Sequence, residues 1–486
     1  MKTSRVSLLR ITAFLAVLVL LIGATNEAFR VKYEETKRID SFYALEKQKA
    51  DVLVIGNSHA FWNFYTNVLW DEYGMASFIM AAPWQPMWNA HFYLKEALKT
   101  QTPKLVILEG HALTFDYEYD RTGFGIYAFY GMRPSRNKWD AIHASTDDES
   151  QYVNYLLEFP IHHTRYNELR QADFRRGAAE ADFKGTYVNP YRGTFEKPDI
   201  AAMKEKVPLH PKAEEWFRKT LQLAADNNIP ICVVIAPFIV KAEEQGRFLT
   251  AEEIAAEYDV PFLNYNTIYD RTGMDFTTAT SDEHHLNYIS GPVFTRTVAE
   301  EMKERYDIPD RRDDASYASW QRDADLVSRR IHNCMLKDFT DYNELLRSVR
   351  GFSYDIIVTF NGNAAADDAG IAALCETAGI DRTNEAGIRY IRDGAVIAQC
   401  LPGGEAYVPT DQKDFYLEST RGKTGMTENR VLLDHEELLA ESGEDGVHVI
   451  VYDTVLQEVA VSFKVWRENG YNGFEWTDPQ PGGGAT

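Results

Sequence analysis

Two short strings, far apart in the chain, carry the residue types needed for acyl transfer through serine: Gly56-Asn57-Ser58-His59 and Asp282-Glu283-His284-His285-Leu286-Asn287. A serine hydroxyl is a weak nucleophile until a base removes its proton. Imidazole suits that task near neutral pH, and a carboxylate on the second ring nitrogen fixes the tautomer. On this reading Ser58 is the nucleophile, His285 the base and Asp282, three residues earlier, the orienter. The backbone N–H of Ser58, where a helix follows a strand, is a candidate oxyanion donor. Singly, each piece is commonplace: a serine after a strand is more often a helix cap than a nucleophile, and an isolated Asp-x-x-His arises by chance. Their conjunction in this order predicts that Ser58, Asp282 and His285 converge.

The elements that must bring them together follow from short apolar runs alternating with helical segments. Asp51–Ile55 reads as a first strand, with a helix over His59–Tyr73. Ala76–Ala82 reads as a second strand, followed by a helix over Met87–Lys99. Lys104–Leu108, Ile229–Ala236 (after a helix over Pro211–Asn227) and Pro261–Tyr265 complete five strands. Buried strands alternating with helices predict an α/β fold of three αβα layers around a parallel sheet, with function at the carboxyl ends of the strands. Ser58 follows one such end, and Asp282–His285 follows the last strand.

The chain has 486 residues and a formal charge of -22. Its length predicts more than one domain, and its acidity argues against nucleic acid, which needs a basic footprint. Residues 1–30 contain Lys2, Arg5 and Arg10 and an uncharged apolar stretch from Ile11 to Ala24. They read as a signal-anchor with a cytoplasmic N-terminus or as a cleaved signal peptide. Gly23 and Ala24 could form a cleavage site, although Ile22 is not the usual small residue upstream of one. Either way the bulk of the chain is expected outside the cytoplasm. Four cysteines (Cys232, Cys334, Cys375, Cys400) are too few for a disulfide framework. Cys232 reads as a core residue, and Cys375 could pair with Cys400. No cofactor is expected. No spacing suggests zinc, and His162, His163, His284 and His285 include no i,i+4 pair.

Residues 31–306 form the expected catalytic domain, with an aromatic insertion over 112–210 that includes Phe115, Tyr117, Phe124, Phe129 and Trp139. Those rings could stack on sugars or form a local core over the sheet. Residues 307–325 read as a charged connector and 326–470 as a smaller α+β domain. In that domain Tyr354–Phe360 is a strand, Asp368–Ala378 a helix, and hairpins form around Arg392-Asp393-Gly394 and between Val447–Asp453 and Val459–Val465. The tail over 471–486 reads as disordered.

With these residues in view, the chain resembles the SGNH/GDSL hydrolase superfamily over roughly residues 50–305. The Gly-Asp-Ser block is represented by Gly56-Asn57-Ser58 and the Asp-x-x-His block by Asp282 and His285. More narrowly it resembles the envelope branch of alginate O-acetylation proteins and the D-alanyl-lipoteichoic acid factor, whose membrane-tethered members carry a similar Gly-Asn-Ser-His string and His-Leu-Asn ending. The resemblance implies an extracytoplasmic O-acyl, most often acetyl, transferase or esterase acting on a cell-surface glycan, with acyl groups supplied by a membrane-bound O-acyltransferase. It assigns Ser58 as nucleophile, His285 as base and Asp282 as orienter, with His284 a weaker claimant to the histidine role. Where the superfamily offers a glycine N–H, this chain has Met80-Ala81-Ala82-Pro83-Trp84-Gln85, so Ala82 or the Gln85 amide is the substitute donor. Its third strand ends Leu108-Glu109-Gly110-His111, without the superfamily's asparagine. Substrate contacts are expected from Asn57, His59, Trp84, His111, His163 and Arg165. The C-terminal domain resembles the interleukin-like EMT-inducer domain through Asp338–Asn343, Tyr354–Phe360 and Gly446–Asp453, which implies glycan binding. The competing reading is a non-catalytic glycan-binding surface protein with a degenerate SGNH domain.

Overall fold

The computed structural model describes all residues except 1, 33–34, 120–122, 170, 175–182, 352, 362–368, 381–385, 411–412, 422–426, 435, 443–445, 467–473 and 478–486. The tail read as disordered therefore lies largely outside the described residues, but Glu475–Trp476 within it form a strand, which corrects that part of the reading. The chain divides into two compact units, Met1–Ser328 and Arg329–Thr486.

In the first unit, five strands form a wholly parallel sheet: β1 (Val52–Gly56), β2 (Ser77–Ala81), β3 (Leu105–Glu109), β4 (Ile231–Ile235) and β5 (Phe262–Asn264), in the order β2-β1-β3-β4-β5. β1 to β4 are apolar at nearly every position because both faces are covered. Leu53, Ile55, Phe78, Met80, Val106, Leu108 and Val233 face one core; Val52, Val54, Ile79, Leu105, Ile107 and Val234 face the other. The helices are α1 (Lys2–Phe29), α2 (Glu35–Ala44), α3 (Ser58–Asn63), α4 (Thr66–Asp71), α5 (Met87–Ala97), α6 (Arg136–Ser145), α7 (Tyr152–Leu156), α8 (Phe159–His162), α9 (Pro211–Asp226), α10 (Ala242–Ala256) and α11 (Ser290–Arg305). Side chains of α2, α5, α9 and α10 pack into the first core, and those of α3, α4 and α11 into the second. This is the expected α/β architecture. The single helix expected over His59–Tyr73 is two helices, because Phe64 and Tyr65 are extended and buried between them.

The insertion divides its aromatics between two uses. Phe129 packs with Phe92, Ala141 and Ile142 in a small core of its own, whereas Phe124 stays exposed. Residues 307–325 are packed rather than free. Arg311 donates to both Asp51 carboxylate oxygens at 2.7 and 3.0 Å, and Tyr317 and Trp320 bury against Trp70 and Ala76.

α12 (Ala318–Met335) leads into the second unit, which contains α13 (Tyr342–Val349), α14 (Ala369–Ala378) and ten strands, β6 to β15. Six of them, β15-β14-β13-β6-β7-β8, form one antiparallel sheet. β6 is Tyr354–Asn361, β7 Gly387–Arg392, β8 Ala395–Cys400, β13 Gly446–Asp453, β14 Glu458–Trp466 and β15 Glu475–Trp476. The helices cover one face through Leu345, Leu346 and Leu374. The other face packs on a four-stranded sheet of β9 (Gly404–Pro409), β10 (Asp414–Arg421), β11 (Thr427–Leu433) and β12 (Glu436–Ser442) through Phe415, Leu417 and Val431. Both expected hairpins form. Cys375 and Cys400 make no disulfide, correcting that expectation: Cys375 belongs to the helix-covered core, and Cys400 to the core between the sheets.

Candidate active site

β1 pairs with both β2 and β3, so the sheet order reverses at β1 and leaves a crevice beyond its carboxyl end, where ligands bind in open α/β sheets. Ser58 opens α3 at that point. Gly56 is required there, because a Cβ would lie 2.7 Å from Cβ of Glu109 on β3. The registers Gly56↔Ala81 and Ile55↔Leu108 bring Ala82 on one side and Gly110-His111 on the other level with the turn that carries Ser58.

The distant histidine arrives from the loop before α11. Its Nε2 lies 2.8 Å from Ser58 Oγ, and its Nδ1 lies 2.9 and 3.0 Å from the two Asp282 carboxylate oxygens. The same carboxylate accepts the backbone N–H of His284 at 2.7 Å and of His285 at 2.9 Å. Burial alone would raise the Asp282 carboxyl. The hydrogen bond and charge of His285 and the two backbone donors outweigh it, so its pKa falls below the usual carboxylate value. An ionised Asp282 takes Nδ1–H and leaves Nε2 to accept the Ser58 proton. The loop is pinned by Asn63 Oδ1, which accepts Leu286 N–H, and by Asn287, whose amide donates to the carbonyls of Tyr191 and Thr278. Trp62 lies 4.3 Å from the His285 ring and stacks on Tyr187.

A second group of imidazoles abuts this triad. Asn57 Oδ1 accepts His59 N–H, which orients the amide so that Nδ2 donates to Nδ1 of His111 at 3.0 Å. His111 therefore carries its proton on Nε2. The His59 ring stacks on His111 at 3.7 Å and 11°. Both are buried, and burial together with the neighbouring imidazoles pushes each well below the ordinary histidine pKa. Among the described residues neither ring nitrogen of His59 has a hydrogen-bond partner, nor does Nδ1 of His284. Ligand atoms of His59, His111 and His284 lie within 4.8 Å of one another, spacing that could admit a metal ion. Two nearly parallel stacked rings, however, cannot both aim an in-plane lone pair at one ion.

Glu109, two residues before His111, is fully buried, and its carboxyl oxygens accept the backbone N–H of His111. Burial pushes its pKa up to about 8 against the opposing pull of the His111 and Ala236 N–H groups.

Beyond β2, Gln85 is buried, and neither of its amide atoms has a partner among the described residues. Trp84 is held at φ +50° and is 47% exposed, with its ring roughly parallel to those of Phe115 at 5.9 Å and Phe124 at 6.0 Å. Phe115 in turn meets the His111 ring edge-on at 5.6 Å. This aromatic platform is thus continuous with the imidazole group.

Of the expected site residues, the fold gathers Asn57, Ser58, His59, Trp84, His111, Asp282 and His285 at one end of the sheet, with Ala82 and Gln85 on the adjoining strand exit. His163 and Arg165 are not brought there, which corrects their reading as substrate contacts. His163 Nδ1 lies 2.9 Å from its neighbour Pro160 carbonyl, and Arg165 Nη1 donates to the Phe29 and Arg30 carbonyls at the end of α1. Sequence reasoning missed Glu109, whose only signal is an acid closing an apolar strand. It also missed Trp62 and Asn63, and Asn189, whose amide donates to Ser281 Oγ at 2.7 Å and to the Leu286 carbonyl at 2.8 Å; nothing local marks any of them.

No family model matches the sequence, and no curated protein matches it. Among solved structures, a proposed acylhydrolase from Bacteroides fragilis is 10% identical, covering 55% of this chain and 95% of its own with a TM-score of 0.30. A GDSL-like lipase from Bacteroides thetaiotaomicron is 12% identical, covering 56% and 98% with a TM-score of 0.29. The acetyl xylan esterase AlAXEase is 11% identical, covering 52% and 98% with a TM-score of 0.26. At TM-scores this low, Ser58, His285 and Asp282 carry the functional case by their own geometry.

Proposed function

We propose that this protein is a serine-dependent O-acyl, chiefly acetyl, transferase or esterase of a cell-surface polysaccharide, held outside the cytoplasm by α1. The observation that carries this reading is the Ser58–His285–Asp282 hydrogen-bond chain, with 2.8 Å at the first link and 2.9 Å at the second. Ser58 Oγ attacks the acyl carbonyl as Nε2 of His285 takes its proton, and Asp282 holds the imidazolium that results. The Ser58 N–H, with the Ala82 N–H or the Gln85 amide, faces the developing oxyanion. His285 then protonates the departing alkoxide. Water or a sugar hydroxyl, deprotonated by His285, attacks the acyl-serine and regenerates the enzyme. In the transferase version a membrane-bound O-acyltransferase supplies the acyl group.

The exposed Trp84–Phe124 face favours a pyranose, since flat aromatic surface stacks on sugar rings at little entropic cost. Glycan recruitment by the second unit is part of this proposal, on its resemblance through Tyr354–Phe360 and Gly446–Asp453 to a glycan-binding domain. A chromogenic acetyl ester offered with and without an oligosaccharide acceptor tests the reading. Release without acceptor means hydrolysis, acetylated acceptor means transfer, and no sulfonyl-fluoride adduct on Ser58 together with no turnover rejects both.

A further inference from the structure

The apolar helix and the aromatic insertion are joined in a way that neither the triad nor the platform explains. From residue 7 to residue 24 every position of α1 is exposed. At about 1.5 Å per residue this run is about 27 Å long, close to the roughly 30 Å of a bilayer hydrocarbon core. Residues 25–29 are half-buried and Arg30 is buried, because the insertion grips them. Asn26 Oδ1 accepts the Phe159 N–H at 3.0 Å, and the Phe29 ring meets Phe159 edge-on at 5.1 Å. Arg165 Nη1 donates to the carbonyls of Phe29 and Arg30 at 2.8 Å, while Nη2 donates to Asp173 at 3.0 Å. Lys32 Nζ closes the ring by donating to the Asp173 carbonyl at 2.7 Å.

The residues next to these clamps point large apolar side chains into solvent. Tyr166 follows Arg165 and is 73% exposed, and Phe174 follows Asp173 and is 68% exposed. Phe29 lies five residues beyond the end of the exposed run, about 7–8 Å of helix, which is the depth of the polar headgroup layer on one side of a bilayer. Tyrosine and tryptophan concentrate at that layer, where a ring can be half apolar and half wet.

We propose that Tyr166 and Phe174 form a membrane seat: they lie in the lipid headgroup layer and, with α1, fix the height and tilt of the first unit on the bilayer. This rests on the reading of α1 as a retained anchor. Continuity with α1 makes lipid the occupant, because the clamps place these side chains where the helix leaves the hydrocarbon.

All four native cysteines are buried, so single labels can be introduced into the full chain. Leu15→Cys, Tyr166→Cys, Phe174→Cys and, as a water-facing control, Glu252→Cys are each labelled with an environment-sensitive fluorophore and reconstituted into phosphatidylcholine/phosphatidylglycerol vesicles with or without brominated acyl chains. The seat predicts strong quenching at position 15, quenching at 166 and 174 at least twofold above that at 252, and blue-shifted emission at both. Quenching at 15 with 166 and 174 no different from 252 overturns the seat and leaves the anchor standing. No quenching at 15 overturns both, and neither result bears on the turnover assay, which needs no membrane.

Discussion

His285 and His59 lie with ring centroids 5.2 Å apart, yet their surroundings give them opposite chemistry. His285 has a carboxylate on one nitrogen and a serine hydroxyl on the other, so protonation during a reaction is stabilised as it occurs. His59 is fully buried, stacks on a second neutral imidazole and has no partner for either nitrogen among the described residues. A proton there would be desolvated and uncompensated. On the proposed function, the same side chain on neighbouring elements is therefore a base in one place and a neutral, shape-filling group in the other. Partners decide which, not residue type.

The largest test of this contrast is at the triad. Asp282→Asn should leave the fold intact and lower kcat on an acetyl ester by about 10⁴-fold, because the amide no longer enforces the Nδ1–H tautomer. A drop of less than tenfold would make the Asp282 contact structural. The matching substitution in the other group, His59→Phe, should change kcat less than about tenfold, since no reacting proton passes through that ring.

Stability against pH sharpens the comparison next. A histidine whose folded-state pKa is depressed contributes stability that is intact above its unfolded value, about 6.5, and is lost as pH falls below it. His59, His111 and His284 all shift downward. Chemical denaturation should therefore show stability falling from pH 6.5 to pH 5, by up to about 1.4 kcal/mol per pH unit for each group. His59→Phe should reduce that slope by one group's share; an unchanged slope would show that His59 is solvated. Glu109 works in the opposite direction. Its raised pKa of about 8 means that the folded chain holds a proton the unfolded chain has released, so stability is lost as pH rises from about 4.5 to 8. Glu109→Gln should gain on the wild type across that window and run parallel to it above pH 8.

The smallest expected effect is at the platform. Trp84→Ala should raise KM for an oligosaccharide about two- to tenfold while leaving kcat on a small acetyl ester unchanged, as loss of one stacked ring predicts. Equal losses on both substrates would assign Trp84 to holding the loop after β2 instead.

The five parallel strands were legible because each is a short apolar run bounded by Pro, Gly or Asp, a pattern that burial on both faces imposes on any such sheet. The convergence of Ser58, Asp282 and His285 was legible because acyl transfer through serine needs those residue types and the motifs keep them in fixed local order. Arg165 misled because an arginine among aromatics reads alike whether it binds a ligand or caps the carbonyls ending α1. Of the second unit, the six-stranded sheet announced itself in β6, in the β7–β8 hairpin, and in β13 and β14. The strands of β9 to β12 did not, since half-exposed strands such as Gly404–Pro409 mix charged and apolar residues as loops do.

By itself the amino-acid order determined local matters: which runs are buried, where a helix follows a strand, and that a carboxylate and an imidazole three residues apart can meet. These follow from side-chain period and short-range geometry. Only the folded chain decided that β1 lies between β2 and β3, that His59 stacks on His111, that Glu109 is fully buried, and that the insertion grips the end of α1. Each of those depends on residues dozens to hundreds of positions apart arriving at the same place, and burial there sets the energy of every proton and contact.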